Sequence, residues 1–206
     1  MPVVKVTRAD WKWPGIFLLL GLVGALVAVR YFRQAFPEAS IDLRLSRAEI
    51  SQRARLWLQT RGLGTGGFHE AVIFDPAEEA KTYLERELGL EQANRLMSSQ
   101  VKVWRWRVRY FKPPHKEEMV VWLDTAGSLV AFQHLIEEKA PGARLNQDEA
   151  QRLAEIFLRT QKQARLEDYQ LVQEGGLEVR PNRYDYSFTW ERKGARLKEA
   201  THRLSV

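Results

Sequence analysis

Two stretches decide the fold of this chain: LSRAEISQRARLWLQT at Leu45–Thr60 and LNQDEAQRLAEIFLRT at Leu145–Thr160. They align with a shift of 145 − 45 = 100 positions. The identical pairs are Leu45/Leu145, Glu49/Glu149, Ala54/Ala154, Leu58/Leu158 and Thr60/Thr160, and the like-for-like apolar pairs are Trp57/Phe157 and Leu56/Ile156. We interpret the two stretches as copies of one helix.

Each copy begins with the residues that favour a helix start. Ser46 with Glu49, and Asn146 with Glu149, place a side-chain acceptor at the N-cap and a carboxylate three residues later. Apolar residues then recur at helical spacing, which predicts one buried face on each helix. These residues are Ile50, Ala54, Trp57 and Leu58 in the first copy, and Ala150, Leu153, Ala154, Phe157 and Leu158 in the second. Any two amphipathic helices with capping boxes share such features, so the helices alone do not decide whether the chain contains a repeat.

The segments that follow the helices favour a repeat. Trp104–Tyr110 (WRWRVRY) and Tyr184–Trp190 (YDYSFTW) both alternate, as half-buried strands rich in aromatic residues do. The alternation places two sets on the buried side: Trp104, Trp106, Val108 and Tyr110, and Tyr184, Tyr186, Phe188 and Trp190.

Each alternating strand precedes a polar break and a second strand candidate. The breaks are Lys112–Lys116 and Arg192–Gly194, and the candidates that follow them are Lys116–Asp124 and Lys198–Val206. The predicted fold class is therefore α+β, with two copies of a helix packed on a small antiparallel sheet.

Further elements are predicted from turn residues and periodicity. Phe68–Phe74 and Tyr169–Gln173 read as strands, the second ending before Gly175–Gly176. Asp124–Gly127 (DTAG) predicts a hairpin turn into a strand at Leu129–Phe132. Ala77–Leu88 and Leu90–Met97 read as helices separated at Gly89, an insertion within the first copy.

An uncharged apolar segment precedes the repeat. In a chain of 206 residues, 45% hydrophobic and 28% charged, Pro14–Val29 (PGIFLLLGLVGALVAV) stands apart. With its aromatic flanks it reaches the roughly 20 residues that span a bilayer, so we expect a transmembrane anchor. A signal peptide is the first alternative, but Arg30 follows directly without a small-residue cleavage pattern. A buried core helix is the second, and the glycines at 15, 21 and 24 would weaken it in water.

The charges around this segment are nearly balanced. Lys5, Arg8 and Lys12 precede it, and Arg30, Arg33, Arg44 and Arg47 follow it. Because long domains cross membranes largely regardless of charge, we expect the bulk of the chain to be extracytoplasmic, anchored in a bacterial cytoplasmic membrane. The absence of cysteine excludes disulfides and cysteine-based chemistry, and does not identify the compartment.

These elements predict three regions. Residues 1–34 hold the anchor, 41–140 the first unit with its insertion, and 141–206 the second unit, with Phe36–Ile41 as a tether. Val206 aligns with Asp124, so the second unit ends one strand short of the first. We expect the chain to be a fragment whose next residues would add that strand and cover an open sheet edge.

This order of elements resembles PepSY-type repeats, small extracytoplasmic modules often linked to peptidases. The segments RYFKPPHKEE, LDTAGSLVAFQH and EEKAPGARLNQDEAQRLAEIFL also resemble the region before the catalytic domain of some bacterial CPBP (CAAX-type) intramembrane proteases. That resemblance covers about Leu45–Val206 and implies a regulatory region within a longer protease. The protease signature, two glutamates followed four residues later by arginine, is missing at Glu78-Glu79, Glu117-Glu118 and Glu137-Glu138. No catalytic residue is carried over.

The residues themselves indicate no catalytic, cofactor or metal site. His69, His115, His134 and His202 are scattered, and His69-Glu70 lacks the second histidine of a helical metal motif. The glycines of Arg61–Gly67 are not followed by the Lys-Ser/Thr of a phosphate loop.

Arg105, Arg107 and Arg109 form the one predicted binding surface, because alternation places them on the strand face opposite the aromatics. Nucleic acid is not expected to bind there, because single-strand binders need rings and cations on one accessible surface. A net charge of +6 suits a domain near anionic lipid. A solvated sheet face is the alternative, since the second copy has Asp185, Ser187 and Thr189 at these positions.

Two function classes follow. The first is a membrane-anchored regulatory or binding region without chemistry of its own, which contacts lipid through residues 14–29. Its partner would be a peptide, a protein or its own downstream protease domain. The second is a structural spacer that holds a downstream membrane domain.

Overall fold

The computed structural model describes residues 11–36, 38, 41–162 and 164–206. Lys5 and Arg8, which entered the charge comparison, lie outside the described residues, as do Pro37, Ala39 and Ser40 of the predicted tether. The helices are α1 Lys12–Ala35, α2 Arg47–Gln59, α3 Glu78–Leu88, α4 Leu90–Ser99 and α5 Gln147–Gln161. The strands are β1 His69–Phe74, β2 Arg105–Phe111, β3 Glu118–Asp124, β4 Leu129–Leu135, β5 Tyr169–Val179, β6 Tyr184–Leu197 and β7 Ala200–Ser205.

The chain folds into two compact units. One holds the N-terminal helix and Asp75–Trp104, and the other holds Leu45–Phe74 and Arg105–Val206. With five helices and two antiparallel sheets, the described residues confirm the predicted α+β class.

The regular structure of the first unit is helical throughout the residues described. Helix α1 has 24 residues and is about 36 Å long at 1.5 Å per residue. Its stretch Lys12–Phe32 is long and apolar enough to cross a membrane. Helices α3 and α4 meet at Gly89, whose φ of 74° confirms the predicted break.

Trp104 corrects one sequence prediction. It was expected to begin the alternating strand, but β2 begins at Arg105, and Trp104 belongs to the helical unit. Its indole is buried there, with Lys81 Nζ 5.8 Å from the ring centroid. Alternation of aromatic residues could not reveal where the pairing of β2 with its neighbours begins.

The second unit contains a four-stranded module, formed by α2 and the sheet β1-β2-β3-β4. All neighbouring strands are antiparallel. Helix α2 covers one face of this sheet, as predicted, and its capping box is present between Ser46 and Glu49. The buried core consists of Ile50, Ala54, Leu58, Val72, Val108, Tyr110, Met119, Val121 and Leu123.

The DTAG turn joins β3 to β4 as predicted. The carboxylate of Asp124 is buried and accepts hydrogen bonds from the backbone N–H groups of Ala126 (3.0 Å) and Ser128 (2.8 Å). Gly127 has a φ of 83°, and a Cβ there would lie 2.6 Å from Cδ of Arg53. Arg53 in turn donates to the Ala126 carbonyl at 3.1 Å, which fastens the turn to α2.

The three-stranded module consists of α5 and the sheet β5-β6-β7, and also belongs to the second unit. The capping box between Asn146 and Glu149 is present. The buried core comprises Ala154, Leu158, Leu166, Phe188 and Trp190, with Phe157 and Tyr186 partly buried against it. Because β5, β6 and β7 follow α5 as β1, β2 and β3 follow α2, the predicted repeat holds at the level of topology.

Several helix positions differ from the predicted burial. Leu153 was expected on the buried face of α5, but it is 56% exposed. Trp57 and Phe157 are only partly buried, whereas Ala54/Leu58 and Ala154/Leu158 make the close contacts with the sheets. The small alanine lets each helix approach its sheet, and the larger aromatic therefore lies towards the side of the interface.

Two strand boundaries also differ from the predictions. Strand β5 was expected to end before Gly175–Gly176, but it continues to Val179 through two register shifts. A Cβ at Gly176 would lie 2.7 Å from Oγ of Ser187, so glycine permits this close pairing. Strand β6 likewise runs through the predicted break at Arg192–Gly194, where another register shift absorbs extra residues, and the chain turns at Lys198.

Buried Arg183 fastens the segment that joins the two modules. Its Nη1 donates to the carbonyls of Glu137 (2.9 Å), Glu138 (3.1 Å) and Ala140 (3.0 Å), and its Nε donates to Asp185 at 2.8 Å. At the other side of the modules, Lys162 Nζ donates to the carbonyls of Leu129, at 3.1 Å, and Val130. A register shift in β4 at this point explains why a single ammonium reaches two successive carbonyls.

Candidate functional site

The predicted arginine surface lies on the face of the four-stranded sheet opposite α2. Strand register pairs Arg105 with Asp124, Arg107 with Trp122 and Arg109 with Val120, whereas Trp106, Val108 and Tyr110 face α2. Trp106, Val108 and Tyr110 therefore lie on the opposite side from the arginines, as predicted, and Trp104 does not belong to the strand. The predicted separation of cations from aromatic rings is wrong, because Trp122 also lies on the arginine face, with its ring centroid 6.0 Å from Cζ of Arg105.

The geometry shows that these arginines are not three equivalent solvated charges. Arg105 and Arg107 are half-buried, and the neighbouring Val120 is only 4% exposed. Arg109 donates through Nε to Glu118 Oε2 at 2.9 Å and lies 4.8 Å from the Phe111 ring centroid. A partner that used this face would have to compete with an existing carboxylate for Arg109. That the surface binds a ligand stays a prediction.

A polar cluster lies at the β1 edge of the same module, on the α2 side. Glu70 accepts hydrogen bonds from Ser51 Oγ at 2.5 Å and from Arg55 Nη2 at 2.9 Å. Burial raises the pKa of Glu70, but these hydrogen bonds outweigh it and hold the pKa below its ordinary value. Burial and the nearby Glu70 carboxylate raise the pKa of Tyr110. The cluster joins α2 to β1, because the Glu70 carboxylate of β1 accepts from two side chains of α2.

The histidines lie in separate environments. Nε2 of His134 is 2.9 Å from Glu117, the His69 ring lies 5.6 Å from Phe111, and Nδ1 of His202 is 3.2 Å from the Tyr169 hydroxyl. Among the described residues, no group of three or more His, Cys, Asp or Glu side chains could hold a metal ion.

The outer edge of β7 is a second candidate site. Among the described residues β7 has one strand neighbour, β6, whereas its counterpart β3 lies between β2 and β4. Val206 exchanges two backbone hydrogen bonds with Phe188, at 2.8 and 3.0 Å. Because backbone groups alternate in direction along an antiparallel strand, the N–H and C=O groups of Arg203 and Ser205 point away from β6. This edge can accept the backbone of another strand.

A basic pocket of about 420 Å³ lies beside this edge. Its basic side chains are Lys162 at the end of α5, Arg165 in the following loop, Arg192 on β6 and His202 on β7. Asp168 is the one carboxylate of the lining. Burial is the main cause that lowers the pKa of Lys162, opposed by the charge of Asp124.

Sequence reasoning missed this pocket because its residues are spread over forty positions and follow no motif. His202 was noted only as a scattered histidine. The bulge in β6 at Glu191–Arg196 and the end of α5 determine which side chains converge, and neither is visible in residue spacing. The charge pattern Lys162-x-x-Arg165 after an amphipathic helix was the only available signal.

Comparison with known proteins gives one match. The family model described as DUF4901, the YcdB, YcdC repeated domain, matches residues 84–206. No curated protein and no solved structure matches. The description as a repeated domain is consistent with the two helix-on-sheet modules found here. Because the match covers more than half of the described sequence, the chain belongs to the YcdB, YcdC repeated domain family.

Proposed function

We propose that this chain is a membrane-anchored, non-catalytic binding region whose three-stranded module receives an extended peptide segment along β7. The observation that carries this proposal is the difference between the sheets: β3 has both β2 and β4 beside it, whereas β7 has one strand neighbour, β6, among the described residues. Backbone pairing to an open edge is a common mode of peptide recognition, in which alternate side chains supply the specificity.

The four-stranded module shows which side chains such a segment would carry. Phe132 of β4 packs on Trp57 of α2 with ring centroids 4.8 Å apart. Phe157 is the counterpart of Trp57 and is partly exposed on α5. A segment beside β7 would therefore carry an apolar or aromatic residue towards Phe157, with polar residues at alternate positions.

The anchor and the location extend this proposal. The apolar side chains of α1 are exposed along the helix, which supports insertion into a lipid bilayer. We place the two sheets on the extracytoplasmic side of a bacterial cytoplasmic membrane. Carbonate extraction of membranes should leave the protein in the pellet, and release into the supernatant would contradict the anchor.

The PepSY-like reading is part of the same proposal. The arrangement of a helix on an antiparallel sheet, present twice, supports the likeness to PepSY-type repeats. Modules of that type are associated with peptidases. The likeness to the region before CPBP-type proteases suggests that the bound segment belongs to a protease domain. The spacer role is the competing function, and it requires no ligand at β7.

Peptide binding separates these two functions. A synthetic peptide with the sequence of residues 128–136, SLVAFQHLI, mimics β4 and should bind the full chain in neutral detergent. Backbone amides of Arg203 and Ser205 should then gain protection from hydrogen exchange, because they would pair with the peptide. The same peptide with alanine in place of its phenylalanine should bind more weakly.

A matched pair of variants tests the edge itself. Ser205→Pro removes an outward N–H, which an edge strand tolerates, whereas Ser205→Ala keeps it. Both variants lose the contact of the serine hydroxyl with Thr189, 3.2 Å away, so that contact cancels in the comparison. Binding lost in Ser205→Pro alone supports the proposal. Equal binding by both variants, or no gain of amide protection in the unmodified chain, favours the spacer.

A further inference from the structure

The basic pocket beside β7 carries a second, independent inference. Its four basic side chains come from four different parts of the three-stranded module, and they converge around a cavity of about 420 Å³. Arg165, Arg192 and His202 are exposed, while Lys162 is half-buried at the wall. A small ligand can therefore reach the arginines from solvent.

The charge of this pocket is poorly compensated. Lys162, Arg165 and Arg192 contribute three positive charges against the single carboxylate of Asp168. Among the residues that the structure describes, neither Arg165 nor Arg192 forms an ion pair with a carboxylate. Lys162 donates to two backbone carbonyls at the wall, while burial lowers its pKa and the charge of Asp124 opposes that effect.

We propose that this pocket binds a phosphate group. A tetrahedral dianion matches a net charge of about two and presents oxygens in several directions, as donors on separate walls require. A planar carboxylate presents only two oxygens in one plane. The cavity is larger than a phosphate ion, so it also accommodates the first atoms of a substituent. Inorganic phosphate and the phosphomonoester of a lipid headgroup share this chemistry.

His202 provides a pH-dependent signature of binding. Part of the His202 side chain reaches solvent, but the pocket walls bury the rest of it; this partial burial, followed by the charges of Arg192 and Lys162, lowers its pKa. A bound dianion favours the imidazolium and should raise this pKa. The other groups that face the pocket are Arg165, Asp168 and Tyr169. Burial raises the pKa of the Tyr169 hydroxyl, further from neutrality. The His202→Gln variant therefore separates proton uptake by His202 from proton uptake by the phosphate itself.

Titration calorimetry of the full chain in neutral detergent, with inorganic phosphate at low ionic strength, tests this site. We expect Arg165→Gln and Arg192→Gln each to weaken binding at least fivefold, and Arg152→Gln to leave it unchanged. Arg152 is an exposed arginine of α5 outside the pocket and serves as the matched control. Because phosphate itself changes from dianion to monoanion between pH 8 and 6, the pH dependence is compared between two chains. The unmodified chain should lose less affinity for phosphate on acidification than His202→Gln does.

A second arm distinguishes the source of the phosphate. The full chain in zwitterionic nanodiscs with added phosphatidate should reproduce the arginine dependence if the natural ligand is a lipid headgroup, and inorganic phosphate should compete. Phosphate binding without any effect of phosphatidate identifies a soluble ligand. Absence of binding in both arms, or equal losses in Arg152→Gln and Arg192→Gln, overturns the proposal. Ser205→Pro should bind phosphate normally, so the outcome is separable from that of peptide binding.

Discussion

The four-stranded and three-stranded modules begin with nearly the same helix and complete it differently. Both helices start with a capping box, and both place an alanine and a leucine, four residues apart, against the sheet. In the four-stranded module, β4 adds Phe132 beside Trp57, and Arg61 lies 3.8 Å from the Trp57 ring centroid on another side. Among the described residues, no ring pairs with Phe157.

This difference shows what the outer strand contributes. In both modules, the first three strands bury the same face of the helix, which carries the alanine and the leucine. We call this face the central stripe. The fourth strand covers the side of the helix where the larger aromatic lies. A helix with the same central stripe can therefore belong to a closed module or to one with a surface for an additional strand.

The largest expected effect tests the shared stripe. Leu58→Ala and Leu158→Ala each remove a fully buried side chain, and each should lower the free energy of unfolding of its module by about 2–5 kcal/mol. Leu56→Ala and Ile156→Ala are matched controls at positions that are 52% and 56% exposed, where we expect less than about 1 kcal/mol. Hydrogen exchange of the full chain measures each module separately. Equal losses at buried and exposed positions would show that the helix faces are assigned wrongly.

The second prediction concerns Arg183. In the first copy of the repeat the aligned residue is Val103, which cannot make these hydrogen bonds. Arg183→Ala leaves three carbonyls of the joining segment without their donor. A buried group left unpaired costs about 1–3 kcal/mol, but these carbonyls are only partly buried and water can reach them. We therefore expect the three-stranded module to lose roughly 2–3 kcal/mol in total. Amides of residues 137–144 should exchange faster.

Arg180→Ala is the control for this variant. Arg180 also contacts Glu138 and Asp185, but through side chains that are partly exposed to solvent. We expect it to cost less than about 1 kcal/mol. If Arg180→Ala destabilised the module as much as Arg183→Ala, the carbonyl contacts would not be the reason for the loss.

The third prediction compares the two aromatics directly. Trp57→Ala should lower the free energy of unfolding more than Phe157→Ala does, because the Trp57–Phe132 ring pair contributes about 0.5–1.5 kcal/mol beyond the burial of apolar area. A double-mutant cycle of Trp57→Ala and Phe132→Ala should give a coupling energy in this range. The β4 peptide should place its phenylalanine beside Phe157. With the peptide bound, the losses of unfolding free energy in Trp57→Ala and Phe157→Ala should therefore become more similar. A coupling energy near zero would remove the basis for the proposed peptide contact.

The repeat was visible in the sequence because the features that encode it are local. Capping boxes, helical spacing and alternation each act over a few residues, and together they predicted both helices and the succession of strands along the chain in both modules. The exceptions involve longer distances. Gly176 and Arg192–Gly194 were read as breaks because bulges depend on the partner strand, and Leu153 was read as buried because spacing cannot measure how far the sheet extends.

The candidate sites divide in the same way. The arginine face followed from alternation in a single strand, and the open edge of β7 followed from aligning the two copies. The phosphate pocket did not follow, because its residues lie on four elements and meet only after the bulge in β6 and the end of α5 place them. Patterns of residues that are close in sequence do not predict which distant side chains meet in the folded chain.

The smallest expected effect is a loss of stability at acid pH, which should occur in the four-stranded module and not in the three-stranded one. The pKa of Glu70 is lower in the folded chain than in the unfolded chain, because hydrogen bonds from Ser51 and Arg55 outweigh the effect of burial. Its stabilising contribution is therefore complete above the ordinary glutamate pKa and is lost as the pH falls through the lowered pKa. Glu70 pairs with Tyr110 across the sheet. The counterpart of Tyr110 is Trp190, which pairs with Leu171, so the three-stranded module lacks this contribution.

Glu70→Gln should reduce the stability of the four-stranded module by about 1 kcal/mol at pH 7 and flatten its loss of stability below about pH 4.5. Hydrogen exchange of β1 and β2 amides at pH 7 and pH 4 measures both changes. An unchanged slope in Glu70→Gln would assign the acid sensitivity to other carboxylates.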